Sequence, residues 1–139
     1  MHVLSGGNGR VRAVLSEDVI TCNPNPLVQA LGKPASEFTK ADIIGYVRDH
    51  KIEMLNFRFV AGDGRLKTLS FVVGSLAHLD RILSFGERVD GSSLFDYVDA
   101  DSSDVYVIPR FSTAFVNPFA ARPTIDLVCS FYDAAGRPM

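Results

Sequence analysis

The stretch Leu55-Asn56-Phe57-Arg58-Phe59-Val60-Ala61-Gly62-Asp63-Gly64-Arg65-Leu66-Lys67 carries the reading on which the fold depends. Leu55, Phe57 and Phe59 alternate with Asn56 and Arg58. That period of two sets one face of a strand against a core and leaves the other face polar. Ala61-Gly62-Asp63-Gly64 supplies residues that tolerate positive φ, as a hairpin turn requires. Leu66 to Val73 returns as the second strand. The segment predicts a β-hairpin.

Upstream of the hairpin the period is helical. Thr39 precedes Asp42 by three residues, a capping box with the shorter acid, in which hydroxyl and carboxylate each cover a free N–H of the first turn. Ile43, Ile44 and Val47 follow at helical spacing, and Arg48, His50 and Lys51 suit the negative end of the helix dipole. A helix from Lys40 to about His50 is predicted, weakened at Gly45 by about 1 kcal/mol relative to alanine. Downstream, Leu76, Leu79, Ile82 and Leu83 predict a short second helix that ends at Phe85-Gly86. Strands resume at Val105–Ile108, Thr113–Val116 and Thr124–Tyr132, with Pro109, Pro118 and Pro123 between them. Ala134-Ala135-Gly136-Arg137-Pro138 reads as a turn that normally feeds another strand, so a continuation of the chain beyond Met139 is expected. These elements make an α+β domain, a β-grasp-like small mixed sheet crossed by one or two helices. Pattern alone leaves the strand order open.

Two segments resist this treatment. In residues 1–37 the clusters Gly6-Gly7-Asn8-Gly9 and Asn23-Pro24-Asn25-Pro26 break regular structure, and only Arg10-Val11-Arg12-Ala13-Val14-Leu15 suggests a short strand. Residues 1–37 are therefore read as a mostly flexible leader and 38–139 as the domain. The second segment runs from Glu87 to Asp104 and is rich in Asp, Gly and Ser. A loop of that length in a compact domain is usually functional or disordered.

Composition narrows the function. With 47% hydrophobic and 22% charged residues in 139, the chain can form a core. A net charge of −2 offers no footprint for nucleic acid and no basic patch for a membrane surface. No apolar run is long enough to cross a bilayer, and the first residues lack the pattern of a secretory signal. Cys22 and Cys129, far apart and in no CxxC pattern, suggest reduced thiols and a cytoplasmic setting. His2, His50 and His78 have no metal-ligand spacing. No G-x-S-x-G elbow is present, and Gly6-Gly7-Asn8-Gly9 lacks the lysine of a phosphate loop.

Val89-Asp90-Gly91-Ser92-Ser93 differs in kind, because a carboxylate beside glycine and two hydroxyls presents a charge at the tip of a tight turn. Its flanks carry a resemblance. Lys51-Ile52-Glu53-Met54-Leu55-Asn56-Phe57-Arg58-Phe59 with Gly64-Arg65-Leu66-Lys67 resembles the first hairpin of bacterial glutamine synthetases. Phe85 to Leu94 resembles their Asp-Gly-Ser-Ser loop, and Ser103-Asp104-Val105-Tyr106-Val107-Ile108-Pro109 their Ser-Asp-hydrophobic run. Ser112 to Phe119 and Cys129-Ser130-Phe131-Tyr132-Asp133 follow in the family's order.

The resemblance implies a β-grasp amino-terminal domain whose large catalytic domain, with the ATP site, the Mg or Mn ions and the glutamate site, is not in this chain. It implies no cofactor and no metal in this fragment, which by itself is expected to be inactive. Family members form double rings, here a double-ring dodecamer for the full-length enzyme, and each active site lies between neighbouring subunits. By resemblance Asp90 is the catalytic carboxylate, Asp104 a second acidic position, and Gly91, Ser92 and Ser93 the loop that carries them. The acidic loop is expected to be mobile without its neighbouring subunit. Tyr97 stands where many members have tryptophan, Val89 where phenylalanine is common and Arg110 where an acid is common. Relatives that join glutamate to other amines share the domain, so ammonia and another amine both remain as substrates. The alternative is a stand-alone β-grasp binding module. An exposed apolar patch of Phe111, Phe115, Phe119 and Phe131 would favour the ligase fragment over it.

Overall fold

A computed structural model describes residues 20–91 and 104–139. Helix α1 is Pro26–Leu31 and α2 is Lys40–Asp49; the hairpin strands are β1, Met54–Val60, and β2, Leu66–Val72. Helix α3, Leu76–Phe85, leads into β3, Glu87–Asp90. After residues 92–103 come β4, Asp104–Pro109, a short β5, Phe115–Val116, and β6, Thr124–Asp133.

Among the described residues the sheet has six strands, in the order β2-β1-β6-β4-β3 with β5 added to β6. β1 runs parallel to β6, and every other pairing is antiparallel. The hairpin forms as read, with Leu55 opposite Phe71 and Phe57 opposite Leu69. The turn closes at Gly64, whose φ of +79° suits glycine. On the other side Leu55 pairs with Ile125 and Phe57 with Leu127. That register brings the apolar sides of β1 and β6 to one face. Helices α2 and α3 cover that face through Ile43, Val47, Leu79, Ile82 and Leu83, all buried. Full burial of a side chain such as Phe57 contributes about 1.5–3 kcal/mol.

The predicted capping box of α2 is present: the Thr39 hydroxyl accepts from the Asp42 N–H and the Asp42 carboxylate accepts from the Thr39 N–H. Lys40 at the start of α2 reaches Asp80 and Ser84 of α3, at 2.8 and 2.9 Å. These contacts tie the two helices at their exposed margin.

Three readings change. The start of order moves upstream of Phe38, because α1 puts Leu27 and Val28 into the core at 0% exposure. Asn23-Pro24-Asn25-Pro26 is a helix start and not merely a breaker. Asn25 caps α1 by accepting from the Leu27 N–H, and Pro26 opens the helix, where its missing N–H costs nothing. The helix has six residues, too few to display a period. Residues 1–19, with the suggested strand at Arg10–Leu15, lie outside the described residues.

The polar stretch is the second change, since its two ends are strand: Glu87–Asp90 and Asp104 pair within one antiparallel ladder. Arg88, Val89 and Asp90 alternate exposed, half-buried and exposed, a period too short to stand out among so many polar residues. The third is Thr113–Val116, of which only Phe115–Val116 is strand; Phe111–Thr113 is a 3-10 turn.

Candidate functional site

Gly86 sets the geometry of the candidate site. Its φ is +69°, and a Cβ there would lie 2.1 Å from the carbonyl oxygen of Val107. Only glycine lets the chain leave α3 and run directly against β4. From that point Arg88 falls opposite Tyr106, Val89 opposite Val105 and Asp90 opposite Asp104. Val89 and Val105 turn inward, Val105 with 1% exposure. Arg88, Asp90, Tyr106 and Asp104 therefore share the outward face.

Asp90, the last residue of β3, and Asp104, the first of β4, are direct cross-strand partners, and both are exposed. Side chains so placed have Cβ atoms about 4.5–5.5 Å apart, and like charges facing each other are unfavourable. The guanidinium of Arg88 offsets part of this, with Nη1 3.6 Å from the Asp104 carboxylate. The two carboxylates and the Arg88 guanidinium therefore share one exposed edge of the ladder. Gly91, which follows Asp90, is buried. Ser92 and Ser93 lie outside the described residues, as does the acidic stretch up to residue 103. The structure thus brings together two of the residues named from the sequence, and adds Arg88 and Tyr106. Their signal was the alternation around Val89 and Val105, which becomes visible only once the register is known.

Among the described residues no group of three or more His, Cys, Asp or Glu side chains converges. No described helix is long and apolar enough to cross a membrane.

A second polar constellation lies on the sheet face away from α2 and α3. Asp126 of β6, 0% exposed, accepts from Arg58 Nε, from Asn56 Nδ2 at 3.0 Å and from Asn117 Nδ2 at 3.3–3.4 Å. Ser70 of β2 donates to Asn56 at 2.8 Å, which completes a chain of bonds across three strands. No motif announces this group in the sequence, although a lone carboxylate within Thr124-Ile125-Asp126-Leu127-Val128 signals a buried partner. The four phenylalanines do not form one patch. Phe111 and Phe131 pack against the core, Phe115 is half-buried and Phe119 is 94% exposed.

A mixed sheet with a parallel β1–β6 centre, flanked by antiparallel β2 and β4 and covered by helices on one face, defines a β-grasp domain. The family described as glutamine synthetase, beta-grasp domain, matches residues 51–134, and the chain belongs to it. It is 29% identical to the glutamine synthetase of Frankia alni over 97 residues, 69% of this chain and 20% of that protein. It is also 29% identical to a 3-hydroxylaminophenol mutase of Cupriavidus pinatubonensis over 89 residues, 64% of this chain and 18% of that one. Among solved structures, a Plasmodium falciparum glutamine synthetase superposes with a TM-score of 0.61 at 20% identity, over 73% of this chain and 20% of that chain. Apo GmaS superposes with the same score at 17% identity, over 71% and 22% of the two chains. The chain spans about a fifth of the length of these proteins.

Proposed function

We propose that this domain lends Asp90, with Asp104 beside it, to the active site of a cytoplasmic ligase that joins glutamate to ammonia. The catalytic domain facing it belongs to a neighbouring subunit of a ring assembly. The observation that carries this reading is the exposed Asp90–Asp104 pair at the end of the β3–β4 ladder, in a chain of this family.

The chemistry asks for such a group. ATP converts the γ-carboxylate of glutamate to an acyl phosphate, and ammonia displaces the phosphate. At neutral pH the available species is ammonium, whose nitrogen has no lone pair with which to attack. A carboxylate attracts the cation and accepts one of its protons. The freed lone pair then attacks the acyl carbon, the carbon–oxygen bond to phosphate breaks, and phosphate leaves. An exposed strand end leaves Asp90 accessible to an incoming cation.

The test uses the polypeptide as its source cells make it. A mass well above 15.2 kDa establishes that a further domain follows, whereas a mass of 15.2 kDa favours the stand-alone binding module. In the longer protein, Asp90→Ala should remove most glutamine formation while the assembly keeps its sedimentation behaviour. Hydroxylamine, largely neutral at pH 7, brings its own lone pair and should be a better nucleophile than ammonium for that variant. Near-normal glutamine synthesis by an intact assembly overturns the assignment. Amines other than ammonia belong in the same assay.

A further inference from the structure

We propose that a groove on the side of the sheet away from α2 and α3 binds a small aromatic monocarboxylate, with Arg58 as its charge anchor. The groove is independent of the Asp90 edge, and neither reading depends on the other.

The cavity has a volume of about 670 Å³, within the roughly 300–1,000 Å³ typical of small-molecule sites. Pro24 and Pro26 form one wall, and Phe115, Pro118 and Phe119 the other. Both walls are braced by hydrogen bonds. The Asn25 side chain holds the Leu27 N–H at 3.1 Å and donates to the Ala114 carbonyl at 2.9 Å, which fixes the proline segment against the β5 segment. Asn117 accepts from the Phe119 N–H at 2.8 Å and donates to Asp126, which fixes the other side. The side-chain amides at the groove are thereby already engaged.

Among the described residues, Arg58 is the only charged side chain that lines the groove. Its Nε donates to Asp126, and among the described residues its guanidinium makes no other hydrogen bond. The two Nη groups retain four N–H donors in the planar fork that matches a carboxylate. Asp126 is wholly buried, holds three donors and does not line the groove, so the surface of the groove presents the cation of this pair and not the anion. The surrounding walls are apolar, where a charge-assisted bond is stronger than in water. Phe119, 94% exposed beside Phe115, offers a ring for stacking at the mouth. The ligand that satisfies both parts has a carboxylate for Arg58 and a flat apolar body for the prolines and phenylalanines. The pocket is concave and of small-molecule size, which favours a free acid over the side chain of a docked protein.

Benzoate is the probe, titrated into the isotope-labelled full chain and followed by amide and arginine Nε–H resonances. Saturable shifts at Val116, Asn117 and the Arg58 Nε–H are expected. Benzyl alcohol, with the same ring and no charge, should bind about tenfold more weakly, the difference made by one charge-assisted bond. Phe119→Ala, at a site too exposed to affect folding, should weaken benzoate several-fold. Arg58→Lys should weaken it too, since the ammonium lacks the fork. Absence of saturable shifts at millimolar benzoate overturns the proposal. So do equal affinities for benzoate and benzyl alcohol, shifts centred elsewhere, or a folded Phe119→Ala chain that binds as the parent does.

Discussion

Arg58 on β1 donates through Nε to Asp126 on the adjacent parallel strand β6, and the carboxylate it meets has no exposed surface. Asn56 and Asn117 supply further donors to Asp126. Asp126 therefore sits in a nearly complete hydrogen-bond shell, and removing one charge of the pair leaves the other uncompensated. Arg58→Met leaves a buried carboxylate without its counter-ion and should destabilise the fold by about 3 kcal/mol. The double replacement Arg58→Met with Asp126→Leu should recover most of that loss, because it removes both charges. Urea unfolding of the two singles and the double measures the coupling. Additive losses would mean that the pair contributes nothing as a pair.

Gly86 and Gly64 both have positive φ, yet they should respond differently to alanine. At Gly64 the space for a Cβ is open, so Gly64→Ala should cost only the backbone strain, about 1–2 kcal/mol. At Gly86 the Cβ meets the Val107 carbonyl at 2.1 Å. That substitution should cost about 3 kcal/mol or more and loosen the β3–β4 ladder. Amide exchange at Val89 separates the two, with marked acceleration expected only for Gly86→Ala.

Asp42 should make the fold sensitive to acid. Burial pushes its carboxyl up, but hydrogen bonds from Lys33, 2.5 Å away, and from Thr39 outweigh that and hold it below the usual carboxylate range. A lowered folded value means that the stabilisation is complete above the unfolded value, about 3.9. It is lost as pH falls below that and through the folded value. Asp42→Asn should therefore be less stable than the parent at pH 7, and the gap should close on acidification below about pH 4. Denaturation midpoints at pH 7, 5 and 3 test the sign.

The two thiols should separate kinetically. Cys22 is exposed, whereas Cys129 is buried and its thiol is pushed up to about 12 by burial, with the nearby Arg110 working in the opposite direction. Thiolate is the reactive form. An aromatic disulfide reagent at pH 8 should titrate one thiol rapidly and the second only on unfolding. Rapid reaction of both would show that β6 opens readily.

The core was legible in the chain because its signals are local. Leu55, Phe57 and Phe59 alternate within a few residues, and Thr39 and Asp42 mark a helix start within one turn. The Asp-Gly-Ser-Ser motif could be named, and the family with it, without any knowledge of strand order. Helix α1 was not legible, because Asn25 and Pro26 break structure in one setting and begin a helix in another. What decides between them is whether Leu27 and Val28 have a core to enter.

By itself the sequence determined the β1–β2 hairpin, β4, β6, the two longer helices and the identity of the acidic residues, since each rests on side-chain periods or contiguous motifs. Tertiary structure alone decided which of those residues meet. Asp90 and Asp104 become neighbours only through the β3–β4 register, and Arg58 and Asp126, 68 residues apart, only through the parallel pairing of β1 and β6. Such contacts depend on how distant segments share one core, and no local pattern of side chains encodes that pairing.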